Sequence, residues 1–575
     1  MKNIKYLLLI LFVAFSWTSC DQDKLLTETP KDFLSPENSF TTVVGFEAAL
    51  IDIHRRMRDY YVAPGDGWNQ PSYALRGVDV DVSCYWQTAE QVNDLFNWNT
   101  MTAQNGVTAN FWSTFYNWIF HANVIIGRAD DDVVTWTSDA EKNAIVGEAK
   151  FMRAWCYNML ANMFGGVPII LEETSAPKFD FVRASRDQVY QQCKEDLEFA
   201  TQWMNKEDVQ LGGRPPRAAA YHTLAEVNMS LGNYQEAITA ASWVINNPAY
   251  ELMTARYGSY KNFTFSGWDR QGPAEPWGDV YFDLFQEDNF NRSEGNTECI
   301  WNGQMDYVIE GGGFIGASQE KHGGNQNYER WLASGEWLVK DINGQRSWLA
   351  DTLMGRAVWG PMITEYAYQQ VWEFKDDFDR DMRNSTYNMK REYVWYNPAN
   401  PKFGQFMKLE DMLDPVGHGM MLFPTPTKVY STTHHGLKEQ NGELHDNGRT
   451  YKDWYYLRLP ETILLRAEAY YRNGDNASAA ADINMVRNRA QATPVDASDV
   501  DLDLILDERA RELWFEENRL STLTRMGKLV EYLNKYNGSV ITKGHVLPAH
   551  LNLLPIPESE IEKNKDAVLE QNPGY

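Results

Sequence analysis

Apolar residues recur at the 3.6-residue spacing of an amphipathic helix from about Glu47 to Tyr60, from Asn110 to Arg128 and from Asp139 to Phe164. In the second stretch Phe111, Phe115, Trp118, Ile119, Ala122, Ile125 and Ile126 form one broad stripe. In the third, Ile145, Ala149, Met152, Cys156, Met159, Leu160 and Met163 share a side, and Gly165-Gly166 with Pro168 stop the helix. These Met and aromatic positions are expected to be helix core. Between about Pro248 and Tyr451 the texture changes. Gly, Pro, Asn and Trp crowd together, sustained helical periodicity is lost, and Cys299-Ile300-Trp301 is expected as a short strand. Beyond Leu457 strong helices return. In the run Leu502 to Trp514, Leu502, Ile505, Leu506, Leu513 and Trp514 are expected inward, with Asp507 and Arg511 paired at i, i+4 outside.

Two segments repeat each other. Ala225, Gly232, Ala237 and Ala241 recur 242 residues later as Ala467, Gly474, Ala479 and Ile483. Small residues at these points let two antiparallel helices approach closely, and the glycine makes the tight turn between them. This is the pattern of a tetratricopeptide helical hairpin. One such hairpin cannot bury its apolar face alone, so the 110–130 and 139–165 helices are expected to stack against it. The predicted fold is mostly α, a tetratricopeptide-like hairpin scaffold carrying a long, irregular, loop-rich insertion. Loops held on a rigid helical scaffold are where binding sites tend to be placed.

The N-terminus adds a location. Lys2 and Lys5 precede an apolar run from Leu7 to Phe15, the charged and apolar regions of a secretion signal, and nine residues are too few to span a bilayer. Ser16-Trp17-Thr18-Ser19-Cys20 resembles a lipobox, with Trp17 where that motif prefers Leu, so Cys20 is the expected site of acylation. Asp21-Gln22-Asp23-Lys24 resembles the acidic surface-export signals of some Gram-negative lipoproteins. The expected organisation is a signal peptide over 1–19, a lipid-anchored tether over 20–36, a helical part over 37–247, the ligand-binding insertion over 248–451 and a C-terminal helical part over 452–575, all in one compact unit.

Charge and cysteine content exclude several classes. Of 575 residues, 53 are Lys or Arg and 79 are Asp or Glu, a net charge of −26 that repels phosphate backbones, so nucleic acid is not an expected ligand. Removing the signal takes two lysines and makes the mature chain more negative still. Cys84, Cys156, Cys193 and Cys299 show no CxxC spacing; they are expected as buried small hydrophobes, with any disulfide pairing left open. No HExxH, GxSxG or phosphate-cradling loop is present, and Gly311, Gly313 and Gly316 fit GxGxxG without the helix that a dinucleotide site requires. His434-His435 with His418 and His445 have no regular ligand spacing. No metal and no cofactor are expected. Asp79-Val80-Asp81 and Asp376-Asp377 are expected as a turn or solvated face rather than the carboxylate pair of a glycoside hydrolase.

Longer stretches carry a resemblance. "YLRLPETILLRAEAYYRNGDNASAAADINMVRNRA", "LILDERARELWFEENRLSTLTRMGK" and "LLPIPESEIEKNKDAVLEQNPGY" resemble the C-terminal part of the SusD/RagB family of outer-membrane nutrient-binding lipoproteins. Upstream, "GEAKFMRAWCYNMLANMFGGVPII" and "GRPPRAAAYHTLAEVNMSLGNYQEA" are similar to it too, so the likeness runs from about Cys20 to Tyr575 with a divergent middle. The resemblance implies the SusD-like fold, a surface-exposed lipoprotein of the outer membrane, and a SusC-like TonB-dependent transporter as partner. It implies capture of oligo- or polysaccharide without catalysis. Peptide uptake of the RagB kind is the alternative, and a surface glycoside hydrolase a more distant one.

Capturing a sugar requires flat aromatic faces for its C–H side and polar groups for its hydroxyls, in a largely preformed pocket. The family places such aromatics before the 110–130 helix and in the middle insertion. There this sequence offers Tyr85, Trp86, Trp98, Trp277, Trp301, Tyr307, Trp331 and Trp337, with Asp79, Asp81, Asn93, Asn302, Gln304, Asp306 and Arg330 as polar neighbours. Trp86 and Trp301 lead, each beside polar residues in a segment without helical periodicity.

Overall fold

A computed structural model describes residues 39–61, 75–79, 81–83, 98–174, 176–205, 212–267, 272–306, 336–347, 361–363, 367–419, 422–430, 437–440, 443–446, 452–537 and 545–575. The signal segment, Cys20 and the tether lie outside them, as does Cys84. The periodic stretches are helices: α1 (Val43–Tyr61), α2 (Gly106–Arg128), α3 (Asp139–Phe164) and α4 (Arg186–Trp203). Local chemistry sets their starts. The Asn105 side chain accepts from the amides of Val107 and Thr108, Ser138 accepts from Glu141, and Ser185 forms a capping box with Gln188. Gly165, at φ +76°, ends α3 in a conformation that a side chain would strain. All the predicted stripe residues are buried except Ile126, which is half-buried.

Both repeated segments are helical hairpins, α5 (Arg217–Ser230) with α6 (Tyr234–Ile245) and α7 (Leu459–Arg472) with α8 (Asn476–Arg489). Gly232 and Gly474 sit in the turns with φ of +75° and +82°, and Ala225, Ala237, Ala241, Ala467, Ala479 and Ile483 are buried at the close contacts. Helix α6 packs on α7, and each of α2 to α5 packs on its successor, so seven helices make one continuous stack. Arg466 holds Asp482 across the second hairpin at 2.7 Å and reaches the Ser242 hydroxyl of the first at 3.0 Å. Although more than 200 residues separate α6 from α7 in the sequence, the stack is not broken between them. Among the described residues no helix is long and apolar enough to cross a membrane.

The intervening chain forms 3-10 turns and short antiparallel ribbons, among them β2 (Thr264–Phe265) with β3 (Glu275–Pro276), β6 (Met389–Lys390) with β7 (Thr425–Pro426) and β8 (Leu437–Gln440) with β9 (Glu443–Asp446). The expected strand at Cys299 is β4 (Cys299–Gly303), which pairs with β10 (Trp454–Arg458) just before α7 and so returns the chain to the stack. Strand β1 (Asp81–Ser83) pairs with β5 (Pro361–Ile363). Cys156, Cys193 and Cys299 are buried free thiols.

A lattice of buried charges joins these parts. On α9 (Leu502–Leu513), Glu508 accepts from Arg383 and Arg487 at 2.8 Å and from Arg511 at 2.7 Å. Glu512 accepts from Arg458 at 2.7 Å, from Arg383 at 3.2 Å and from Arg489. Arg458 and Arg489 also meet Glu298 next to β4, while Glu516 takes Arg458 and Lys428. With Asp377 and Asp381, six carboxylates face six cations. Burial opposes the charge on Glu512, but Arg489, Arg458 and Arg383 outweigh it and hold its carboxyl down at about 2.

The lattice corrects two expectations. Arg511 does not pair with Asp507 on the outside; it is buried against Glu508 and the Val371 carbonyl, while Asp507 accepts from the Tyr536 hydroxyl at 2.7 Å. Asp377 does not face solvent, being locked to Arg487 and Thr493. Leu502 is half-buried, and Leu504 fills the inward position instead.

Candidate functional site

The candidate region is the seam where the two aromatic-rich segments leave the frame. Strand β4 is buried along its length because it lies between β10 and the helices α1 and α5. Trp301, 4% exposed, has its ring 5.5 Å from Phe151 and 4.8 Å from Tyr456, and its indole N–H donates to the Gly213 carbonyl at 2.8 Å. In this structure its faces serve packing.

At the end of β4 the polar candidates converge. The side-chain amides of Asn302 and Gln304 donate to the side-chain oxygen Oδ1 of Asn291 at 2.9 and 2.6 Å. Asn291 donates in turn to Asp453 at 2.8 Å, and the Met305 amide donates to the other Asp453 oxygen at 2.6 Å. Burial pushes the Asp453 carboxyl up to about 8, against the two hydrogen bonds that favour its charge. Asp306 is half-buried where the next segment departs. Asp453 and Asn291 thus fix the point from which residues 307–335 begin.

The residue that precedes the other aromatic-rich stretch is held as firmly. Asp79, expected in a turn or at a solvated face, is fully buried, and Arg519 on α10 (Arg519–Met526) grips both its oxygens at 2.7 and 3.0 Å. Two residues on, β1 begins its pairing with β5, in register Asp81 to Ile363. Trp98 is buried at the start of a short 3-10 turn. Trp277 is half-buried, 4.9 Å from the Tyr387 ring and 5.4 Å from Phe265. Trp337 belongs to the 3-10 turn Glu336–Leu338, anchored by the ion pair of Glu336 with Lys390 at 2.7 Å. Tyr85, Trp86, Asn93, Tyr307, Trp331 and Arg330 lie outside the described residues, as does the side chain of Asp81.

Beneath the seam is a cavity of about 40 Å³, lined by residues including Tyr61, Arg76, Trp155, His222, Trp301, Tyr456 and Glu461. That is room for roughly two or three water molecules, against the hundreds of Å³ that a ligand pocket needs. The cavity is therefore hydration space under the site and cannot admit a sugar ring. Burial lowers His222 to about 3, so the imidazole is neutral at pH 7, with its Nδ1 2.9 Å from the Thr462 hydroxyl. Burial also raises Glu461 to about 8, although Arg509 donates to it at 3.1 Å.

Among the described residues no group of three or more His, Cys, Asp or Glu is placed to hold a metal ion. His418 is half-buried beside Asp414, and His434 and His435 lie outside the described residues. The arrangement suits recognition: the described residues next to the aromatic-rich stretches, Asp79 and Met305, are each held in place by a buried polar partner. Asp453, Asn291 and Arg519 were not picked out by sequence. Their partners lie 148, 162 and 440 positions away, and no local pattern marks them.

Comparison with known proteins gives the relationship. Residues 270–575 match the model of the SusD family, and residues 32–229 match that of a family described as starch-binding and associating with the outer membrane. SusD-like protein P2 of Formosa agariphila is 26% identical over 599 aligned positions, covering 100% of each chain. A solved laminarin binding SusD-like protein matches with a TM-score of 0.59 at 21% identity, covering 92% of this chain and 99% of that one. Surface glycan-binding protein A from Bacteroides thetaiotaomicron, solved in complex with laminarihexaose, gives 0.60 at 18% identity, with the same coverage of 92% and 99%. The family model alone spans more than half of the sequence, and on that ground the chain belongs to the SusD family.

Proposed function

We propose that the protein is a cell-surface glycan receptor, anchored in the outer membrane through lipid on Cys20, that captures oligo- or polysaccharide and delivers it to a SusC-like TonB-dependent transporter. The observation that carries the reading is that residues flanking the two aromatic-rich stretches of sequence are held to one frame, Asp79 by Arg519 and Met305 by Asp453. A receptor needs its rings held in place before the sugar arrives, because ordering them on binding would cost affinity. Relatives that bind laminarin or laminarihexaose support the glycan assignment.

In this reading the contacting rings come from Tyr85, Trp86, Tyr307, Trp331 and Trp337, while the buried Trp98 packs within the frame. Trp277 and Trp301 shape the frame beneath them, and Asp81, Asn93, Gln304, Asp306 and Arg330 meet hydroxyls. Asp79 and Asn302 act from behind, through Arg519 and Asn291. The protein binds its ligand and does not cleave it.

The test is affinity electrophoresis against a polysaccharide panel with laminarin first, followed by calorimetry of Trp86→Ala and Trp331→Ala. Retardation by at least one glycan, lost at least tenfold in the variants, is the expected result. Retention by peptides alone, or the appearance of new reducing ends, would overturn it. Mass spectrometry of the mature N-terminus checks the acylation of Cys20.

A further inference from the structure

The Asn291 side chain uses its whole hydrogen-bonding capacity inside the protein. Its amide has two hydrogens and an oxygen with two acceptor positions. One hydrogen goes to Oε1 of Glu294 at 3.0 Å and the other to Asp453 at 2.8 Å, while Oδ1 accepts from Asn302 at 2.9 Å and from Gln304 at 2.6 Å. The second oxygen of Glu294 accepts the backbone N–H of Asn291 at 2.8 Å. A backbone amide only donates and a carboxylate only accepts, so Glu294 fixes which way round the Asn291 amide lies. The choice then passes along the chain of bonds. Because Asn291 offers an oxygen, Gln304 must meet it with its NH2 group, and the Oε1 of Gln304 is turned elsewhere.

That oxygen has no donor among the described residues, and Gln304 is only half-buried, just past the end of β4. A Cβ on the exposed Gly212 would stand 3.8 Å from it, so the glycine keeps a side chain off this edge. An acceptor in want of a donor suits a sugar hydroxyl, which has a hydrogen to give. It does not suit a sulfate ester or an ionised carboxyl, whose oxygens only accept. The net charge of −26 acts in the same direction over a longer range.

We propose that Gln304 determines specificity, its outward oxygen selecting neutral, hydroxyl-bearing sugar units over sulfated or uronic ones, and that Glu294 is the positioning residue that sets this orientation through Asn291. The inference rests on the glycan reading above and adds the chemical class of sugar. It also implies that one change can reverse the edge. In Glu294→Gln the remaining oxygen must still face the Asn291 backbone N–H, so the new NH2 group meets the Asn291 side chain and turns it over. Asp453, which burial keeps protonated up to about 8, can donate to the turned Oδ1. Gln304 then accepts from Asn291 and presents NH2 outward.

The test is calorimetry, below the pH at which Asp453 titrates, with laminarin or another neutral polysaccharide that retards the protein, and with a chemically sulfated preparation of the same polymer. Gln304→Met keeps the side-chain length without a strong acceptor; it should weaken the neutral polymer by roughly three- to tenfold, the worth of one hydrogen bond, and leave the sulfated one unchanged. Glu294→Gln should tighten the sulfated polymer by about threefold or more and hold the neutral one within about twofold, because a hydroxyl can also accept. Combining the two changes should abolish that gain, which removal of a charge alone would not do. Thermal melts check that each variant is folded, and should Glu294→Gln fold poorly, Gln304→Met decides by itself. Unchanged neutral affinity in Gln304→Met, no sulfated gain in folded Glu294→Gln, or a gain that survives in the double variant would overturn the proposal. Wild-type protein that binds no polysaccharide of the panel would instead refute the glycan reading on which it rests.

Discussion

Replacing Arg519 by leucine strands a carboxylate in the interior. Asp79 is fully buried, and Arg519 supplies hydrogen bonds to both of its oxygens at 2.7 and 3.0 Å. Removing one partner of a buried ion pair costs about 3–5 kcal/mol, because the charge left behind is neither hydrated nor paired. Unfolding entropy of about 2.1 cal/mol/K per residue, over roughly 500 cooperatively unfolding residues, comes to about 1 kcal/mol/K, so the midpoint should fall by about 3–5 °C. Asp79→Leu should cost less, since Arg519 keeps Glu517 at 3.2 Å and the Leu506 carbonyl at 2.8 Å. The double variant should then be milder than the sum of the single ones by about 2 kcal/mol or more, which scanning calorimetry with a double-mutant cycle reads directly. Additivity within about 0.5 kcal/mol, or a drop below about 1 °C for Arg519→Leu, would refute the view that this pair holds the start of the 79–98 segment.

Three further outcomes follow from the same geometry. Glu461 has its carboxyl raised to about 8, so the folded chain keeps this proton while the unfolded chain has lost it; stability falls as pH rises from about 4.5 to about 8 and then levels off. Glu461→Gln removes that penalty, and denaturant melts should show a stabilisation that is absent near pH 4 and amounts to a few kcal/mol at pH 9. Gly474→Ala, at φ +82° in the turn of the second hairpin, should cost about 1–2 kcal/mol by the same measurement, whereas Gly106→Ala, which meets nothing within 4 Å, should not destabilise. Burial pushes the thiols of Cys156, Cys193 and Cys299 up, so none should react with a thiol reagent in the native state at pH 8 and all should react in denaturant; native labelling would show that the core opens locally.

What could be foreseen depended on the sequence distance over which each feature is decided. Helix faces and hairpins are written within a dozen residues: Gly232 and Gly474 bend the chain, and the alanines around them let two helices touch. The charged run from Asp507 to Glu517 contains the same kind of local signal and misleads. A helix with alternating charges resembles a solvated surface, yet Glu508, Arg511 and Glu512 are buried because their counter-charges arrive from Arg383, Arg458 and Arg487. Asp79 and Arg519 pair across 440 positions, a distance at which composition and periodicity are silent. Tryptophan carries a related ambiguity: the polar neighbours that made Trp301 a surface candidate are satisfied by Asn291 below the surface, and the indole is bonded to Gly213.

The charge lattice around Glu508 and Glu512 also limits how this chain can be divided. It draws on Glu298 beside β4, on the stretch from Asp377 to Lys428, on Arg458 at the end of β10, on α8 and on α9, so any cut between residues 299 and 487 parts some of these ions from their mates. Neither half could shed that burden by simple repacking, because the abandoned groups are buried in the folded chain. Fragments of this protein should therefore be recovered as aggregates unless both halves are produced together, so that each buried ion meets its counter-charge as the two fold around one another.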